Sequence, residues 1–199
     1  MADGDLALLD SVRHLAPGTT GPRPVAAGHG PGPAGGLSCT TAVMTVQGLR
    51  PAGRLAPGDR VLTRDRGFRP LRGVIAASVS AASVPTGTAV RIPAGAFGRG
   101  LPQGDLLVAP DQCLMVRCAE ASLRFGTPEV LVAAGDLVGR AGIGRTDAAA
   151  CVHLVALTFD RHELIWAEGA WCASEAPADG TRLVRPALHG CAPHTRVFA

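Results

Sequence analysis

The sequence predicts an all-β chain of many short strands joined by tight turns. Three observations lead there. Twenty-six Gly and sixteen Pro interrupt the 199 residues too often for long helices. The apolar runs between them are short and separated by turn residues, the spacing of consecutive strands and hairpins. Hydrophobic residues make up 47% of the chain but aromatics only 4%, with no Tyr, so core volume must come from branched aliphatics that pack well on pleated surfaces.

Length and apolar content suffice for one core, and one domain is the economical expectation. Residues 1–35 read as a leader. Leu6 to His14, after Asp5 as an N-cap, has the pattern of a short helix. Ala16 to Gly36 has too much Pro and Gly and too little apolar bulk to fold, and reads as a flexible linker carrying a solvated His29. Residues 36–185 form the β domain and residues 186–199 a tail.

Within the domain a first strand is expected over Thr41 to Val46, followed by a turn from Gly48 to Asp59. Arg60 to Thr63 alternates polar and apolar residues and leads to a hairpin at Asp65-Arg66-Gly67. Pro70 to Ser80 is a longer strand, and Ala89 to Ile92 another after the Pro85-Thr86-Gly87 turn. Leu106 to Ala109 and Cys113 to Arg117 pair around Pro110-Asp111-Gln112. Leu123 to Phe125 is assigned to a short strand, Val130 to Val132 to another, and Ala133 to Val138 to one helical turn. Cys151 to Phe159 and Leu164 to Ala167 flank Asp160-Arg161-His162-Glu163, and Thr181 to Val184 adds an edge. Eight or more short strands describe a closed or folded-over β architecture.

Charge excludes one class of partner. The net charge is +3, and all nineteen basic residues are Arg, scattered singly. Phosphate tracking needs a clustered basic face, so no nucleic acid is expected. The N-terminus has acids where an export signal is basic, and the longest apolar run, Ala148 to Phe159, is far below the roughly 20 residues of a spanning helix. A cytoplasmic protein with no membrane contact is expected. Six cysteines without a CxxC pair, mostly within apolar segments, read as buried free thiols. His189, Cys191 and His194 match no common zinc spacing, so no metal and no cofactor are expected. Gly139 to Gly144 lacks the Lys and the following helix of a phosphate loop and reads as a turn. Arg161, Glu163 and Glu168 beside Trp166 and Trp171 offer a surface for a protein partner, with core filling as the alternative use of the two indoles.

Two stretches point further. Gly48 to Arg69, GLRPAGRLAPGDRVLTRDRGFR, resembles the PGD-to-VLT signature after the first strand of Hint domains, the self-processing fold of Hedgehog proteins and inteins. Phe159 to Trp171, FDRHELIWAEGAW, is similar to the closing strands of bacterial members. The resemblance implies a Hint-type horseshoe of short strands and hairpins. It also implies a chemistry, in which a Cys or Ser opening the domain attacks the preceding carbonyl and a Ser/Thr-x-x-His element polarises the amide and protonates its nitrogen.

Counted back without gaps from Thr45 and Gly48, the nucleophile position falls on Gly36, with Cys39 three residues later. LLVAPDQCLMV resembles the family's VSPQHRVLL, which puts Ala109 at the polarising hydroxyl and Gln112 at the His. AEGAWCAS lies where inteins carry ANGxxxHN, which puts Ala173 and Ser174 at the His-Asn pair. The chain contains no Asn, so Asn cyclisation has no reactant within it. Asp160 and His162 survive as late polar residues, either as an acid-base pair or as a polar turn. The resemblance therefore implies a degenerate Hint domain kept as a scaffold or interaction module. Two other expectations stand beside it: a domain still active through Cys39, releasing residues 1–38 with help from His162 and Asp160, and a small β-barrel with a ligand inside.

Overall fold

A computed structural model describes residues 35–79, 89–117, 119–146, 152–175 and 183–188. The expected leader helix, the linker up to residue 34, the Pro85-Thr86-Gly87 turn and the HGCAPH segment lie outside them. The chain is all-β, in two sheets that share one interior.

The first sheet is built from β1 (Leu37–Ser38), β6 (Gly73–Val79), β7 (Val90–Ile92), β8 (Leu106–Val108), β11 (Gly144–Arg145) and β12 (Val152–Thr158). Its order is β11-β7-β8-β1-β12-β6, so the two-residue β1 is held centrally between β8 and β12. The second sheet contains β2 (Ala42–Thr45), β3 (Gly48–Pro51), β4 (Arg60–Thr63), β5 (Gly67–Pro70), β9 (Cys113–Arg117), β10 (Glu129–Ala133), β13 (Leu164–Ala167), β14 (Ala170–Ala173) and β15 (Ala187–Leu188). Its path runs β15-β10-β9-β14-β13-β2-β4-β5, with β3 paired to β2. All pairs are antiparallel except β10 with β15. Both sheets are open paths among the described residues rather than one closed barrel.

Leu37, Ile92, Leu106 and Val155 of the first sheet and Val43, Val61, Leu114, Val132 and Ile165 of the second belong to one buried cluster. The inner faces therefore pack on each other, as the alternating buried pattern of β2, β4, β7 and β9 requires. In β10 all five residues are buried. Its outer face is covered as well, because Leu131 packs in a second cluster with Leu164, Trp171, Leu183 and Val184.

Several elements depart from expectation, each for a local reason. Gly48 to Pro51 is a strand, since Gly48, at φ 96°, turns the chain back so that Thr45 pairs with Gly48 and Ala42 with Pro51. Pro70 to Ser80 is interrupted at Leu71 and Arg72, which separate β5 from β6. Leu123 to Phe125 is the end of a helix, α1 (Ala119–Phe125), because Ala119, Glu120 and Ala121 favour helix and Gly126, at φ 70°, stops it by donating to Ser122 O at 3.0 Å. An edge strand falls at Ala187–Leu188, while Leu183 and Val184 of the expected edge are not strand and Thr181 and Arg182 lie outside the described residues.

The most instructive miss is β14. It follows β13 through a two-residue turn in which Glu168 and Gly169 both have positive φ, 47° and 83°. Such a turn is normally signalled by Asn-Gly or Asp-Gly. Here Glu168 is held by its surroundings: its N–H donates to Ala42 O at 2.9 Å, its O accepts from Gln103 N at 2.6 Å, and its carboxylate accepts from Ala42 N at 2.7 Å.

The expectation of free thiols throughout is corrected. Cys39 and Cys172 are free, but Cys113 is disulfide-bonded. Spacing alone does not show which backbone positions a fold brings within bonding reach.

Candidate functional site

Four segments meet at the start of the domain. The first is Gly35-Gly36, entering β1. The N–H of Ala109 donates to Gly36 O at 2.8 Å. A Cβ added to Gly35 would stand 3.2 Å from Gln112 Oε1 and 3.6 Å from Gln112 Cα. The Gln112 side chain therefore lies directly against Gly35.

The second segment is the turn joining β8 and β9. Pro110 and Asp111 are its central residues, and Gln112 N donates to Ala109 O at 3.0 Å to close it. A 3-10 turn, Ala134–Leu137, braces it from behind. Ala134 N donates to Gln112 O at 2.9 Å and Gly135 N to Pro110 O at 2.7 Å. A Cβ on Gly135 would sit 3.1 Å from that same carbonyl, so this close approach depends on glycine.

The third segment is the end of β14. Gln112 is only 4% exposed, and its Nε2 donates to Ala173 O at 2.8 Å and to Cys113 O at 2.9 Å. Both amide protons are thereby committed to backbone carbonyls. Neighbouring Ser174 exchanges bonds with the fourth segment. Its Oγ accepts from Glu163 N at 2.9 Å, and its N–H donates to Glu163 O at 2.8 Å.

Gly36, Ala109, Gln112 and Ala173 are thus joined by one chain of hydrogen bonds, with Ser174 next in sequence to Ala173. Cys39 is bonded elsewhere. Its N–H donates to His153 O at 2.9 Å and its O accepts from Gly53 N at 2.8 Å. Asp160 and His162 are not paired with each other. Asp160 is exposed and accepts two bonds from Arg72, at 2.6 and 3.0 Å, which hold its carboxyl below the usual range. His162 is 3% exposed, its Nδ1 accepts from Val184 N at 3.4 Å, and burial pushes its pKa down to about 4. Asp160 to Glu163 carry the chain from β12 of the first sheet to β13 of the second, so the segment links the two sheets and is not a hairpin turn.

Sequence inspection overlooked Glu163 as a buried charge. It is 1% exposed, and its carboxylate is bonded by Arg66 from the β4–β5 turn. A Glu running directly into Leu164 and Ile165 was the available signal, because a carboxylate drawn into a core needs a partner. Trp166 and Trp171 stack edge to face with centroids 4.8 Å apart, and Arg64 lies 5.6 Å over the Trp171 ring. Among the described residues no group of three or more metal-ligating side chains converges. None of the described helices is long and apolar enough to cross a membrane.

The Hint-domain family profile matches residues 36–179. The chain belongs to the Hint-domain family. The match begins at Gly36, the residue at which the gapless count sets the nucleophile position. Solved structures similar to this Hint domain include the AceL NrdHF class 3 split intein in a splice-inactive variant. It has 14% identity and a TM-score of 0.48, covering 71% of this chain and 98% of that one. The TvoVMA intein has 13% identity and a TM-score of 0.46, covering 72% and 99%. A bacterial intein-like domain from Clostridium thermocellum has 12% identity and a TM-score of 0.44, covering 70% and 97%. Among curated proteins none matches the sequence.

Proposed function

We propose that this Hint domain has lost self-cleavage and serves as a folded scaffold or interaction module, working in the cytoplasm with a protein partner. The observation that carries the proposal is the side chain lying against Gly35. Breaking a peptide bond there requires a proton on the departing nitrogen, and an amide anion leaves far too slowly without one. Gln112 occupies that place, has no titratable proton near neutral pH, and spends both N–H groups on Ala173 O and Cys113 O. Gly36 adds a second deficiency, since it carries no nucleophile.

The rival, cleavage before Cys39, lacks support from the same geometry. Cys39 is bonded to His153 and Gly53, whereas the polarising turn engages Gly36. His162, its expected helper, is buried and accepts from Val184.

The test is the intact mass of the full chain after prolonged incubation with dithiothreitol or hydroxylamine. The parent and Cys39→Ala are each expected to stay full length, with no fragment and no change beyond reduction of the Cys113 disulfide. A thiol-dependent fragment ending at Ser38 that disappears in Cys39→Ala would overturn the proposal.

A further inference from the structure

Cys39, Ser78 and His153 form one row across three strands of the first sheet. β1 sets Leu37 opposite Val155 and Ser38 opposite Leu154 on β12. Cys39 continues that register, its N–H donating to His153 O at 2.9 Å. β12 in turn sets His153 opposite Ser78 on β6. Side chains of directly opposed antiparallel residues share a face, with Cβ atoms about 4.5–5.5 Å apart. A thiol, an imidazole and a hydroxyl therefore line up on one side of the sheet.

The imidazole is oriented. Ser78 Oγ lies 2.8 Å from His153 Nδ1, which leaves Nε2 as the ring nitrogen available to a neighbour. The next row inward, Ala76 and Val155, is apolar. Gly53 overhangs the row, and a Cβ added there would stand 2.8 Å from Cys39 Cβ. These residues line a surface groove of about 320 Å³. Gly35, Gly36 and Gln112 take no part in it.

We infer that Cys39 is a reactive thiol that exchanges with small disulfides, with His153 as its base and Ser78 as a positioning residue. The surrounding backbone selects this chemistry over acyl transfer. An acyl transition state needs free N–H donors for its oxyanion. The amides of Cys39, Thr40 and Gly53 already donate, to His153 O, Ser38 Oγ and Cys39 O at 2.9, 3.3 and 2.8 Å. Disulfide exchange develops its charge on sulfur and requires no such donors. In the step, His153 Nε2 takes the Cys39 proton and the thiolate attacks one sulfur of R–S–S–R. A Cys39–S–S–R bond forms as the original S–S bond breaks, and the departing RS⁻ takes the proton back from the imidazolium. The external disulfide is the oxidant.

The probe is dithiobis(nitrobenzoic acid) with the full chain, followed by the rate of thiolate release and by peptide mass mapping of the adduct. The fast adduct is expected at Cys39 and absent in Cys39→Ser. His153→Gln, which retains a polar partner for Ser78, is expected to slow modification of Cys39 about tenfold with an unchanged near-ultraviolet circular dichroism spectrum. Ser78→Ala slows it about threefold and Ser78→Thr restores it, a pattern that loss of packing alone does not produce. The inference is overturned if the fast adduct maps to another cysteine. It is equally overturned if Cys39 in both His153→Gln and Ser78→Ala reacts within about twofold of the parent rate.

Discussion

Gln112 Nε2 donates to Ala173 O at 2.8 Å, tying the β8–β9 turn to the end of β14. The turn and the strand end, 61 residues apart in the chain, are thus held together by a part-buried hydrogen bond. A buried side chain amide bonded at both protons stabilises the fold, and it has no proton that titrates near neutral pH.

If the missing acid is the decisive loss, a nucleophile alone does not restore cleavage. Gly36→Cys places a thiol at the domain start; its Cβ would lie 3.3 Å from Leu154 Cβ, so β12 must give by a few tenths of an ångström to admit it. Gly36→Cys by itself is expected to stay intact under thiol. Gly36→Cys combined with Gln112→His is expected to release a fragment ending at Gly35, read by mass spectrometry. Gln112→His also gives up bonds to two carbonyls and lowers stability by about 1–2 kcal/mol in denaturant titration.

His162 makes stability depend on mild acid. Its folded pKa, about 4, lies below the ordinary 6.5 because burial penalises the imidazolium. Between these values the unfolded chain binds more protons, so stability is full above pH 6.5 and falls as pH drops toward 4. The loss is at most about 3 kcal/mol. Urea midpoints measured from pH 7 to pH 4.5 are expected to fall in the parent and to flatten in His162→Gln. An equal slope in both proteins would contradict this origin.

Arg66 neutralises a charge that has no access to water. Glu163 has 2% of its side-chain surface exposed, and Arg66 30%. Arg66→Ala strands the carboxylate and is expected to destabilise by about 2–3 kcal/mol, toward the low end of buried pairs because the guanidinium is partly solvated. Adding Glu163→Gln to Arg66→Ala recovers part of the loss. A double variant no more stable than Arg66→Ala would mean that the ion pair is not the source.

The family and most strand positions were legible in the chain because turn chemistry is local. Gly58, at φ 94°, and Asp59, whose carboxylate accepts from Ala56 N, sit in the turn that Pro57-Gly58-Asp59 announces. The Gly139 to Gly144 stretch likewise closes as a turn, with Gly139 N donating to Ile143 O at 2.9 Å. The turn at Pro110-Asp111-Gln112 was legible in the same way, closing with Gln112 N donating to Ala109 O at 3.0 Å.

Other features answer to distant partners. Glu168 is held in a left-handed turn by Ala42, 126 residues away, and by Gln103. Glu163 is buried because the β4–β5 turn delivers Arg66. Cys39 and His153 become neighbours through the register of β1 on β12, and no spacing along the chain encodes that row. The sequence by itself determined which chemical groups exist: no Asn, a glycine at position 36, a glutamine at position 112. Tertiary structure decided what those groups touch. Strand pairing sets contacts between residues far apart in the chain, and a shift of one residue in register would turn each side chain to the opposite face.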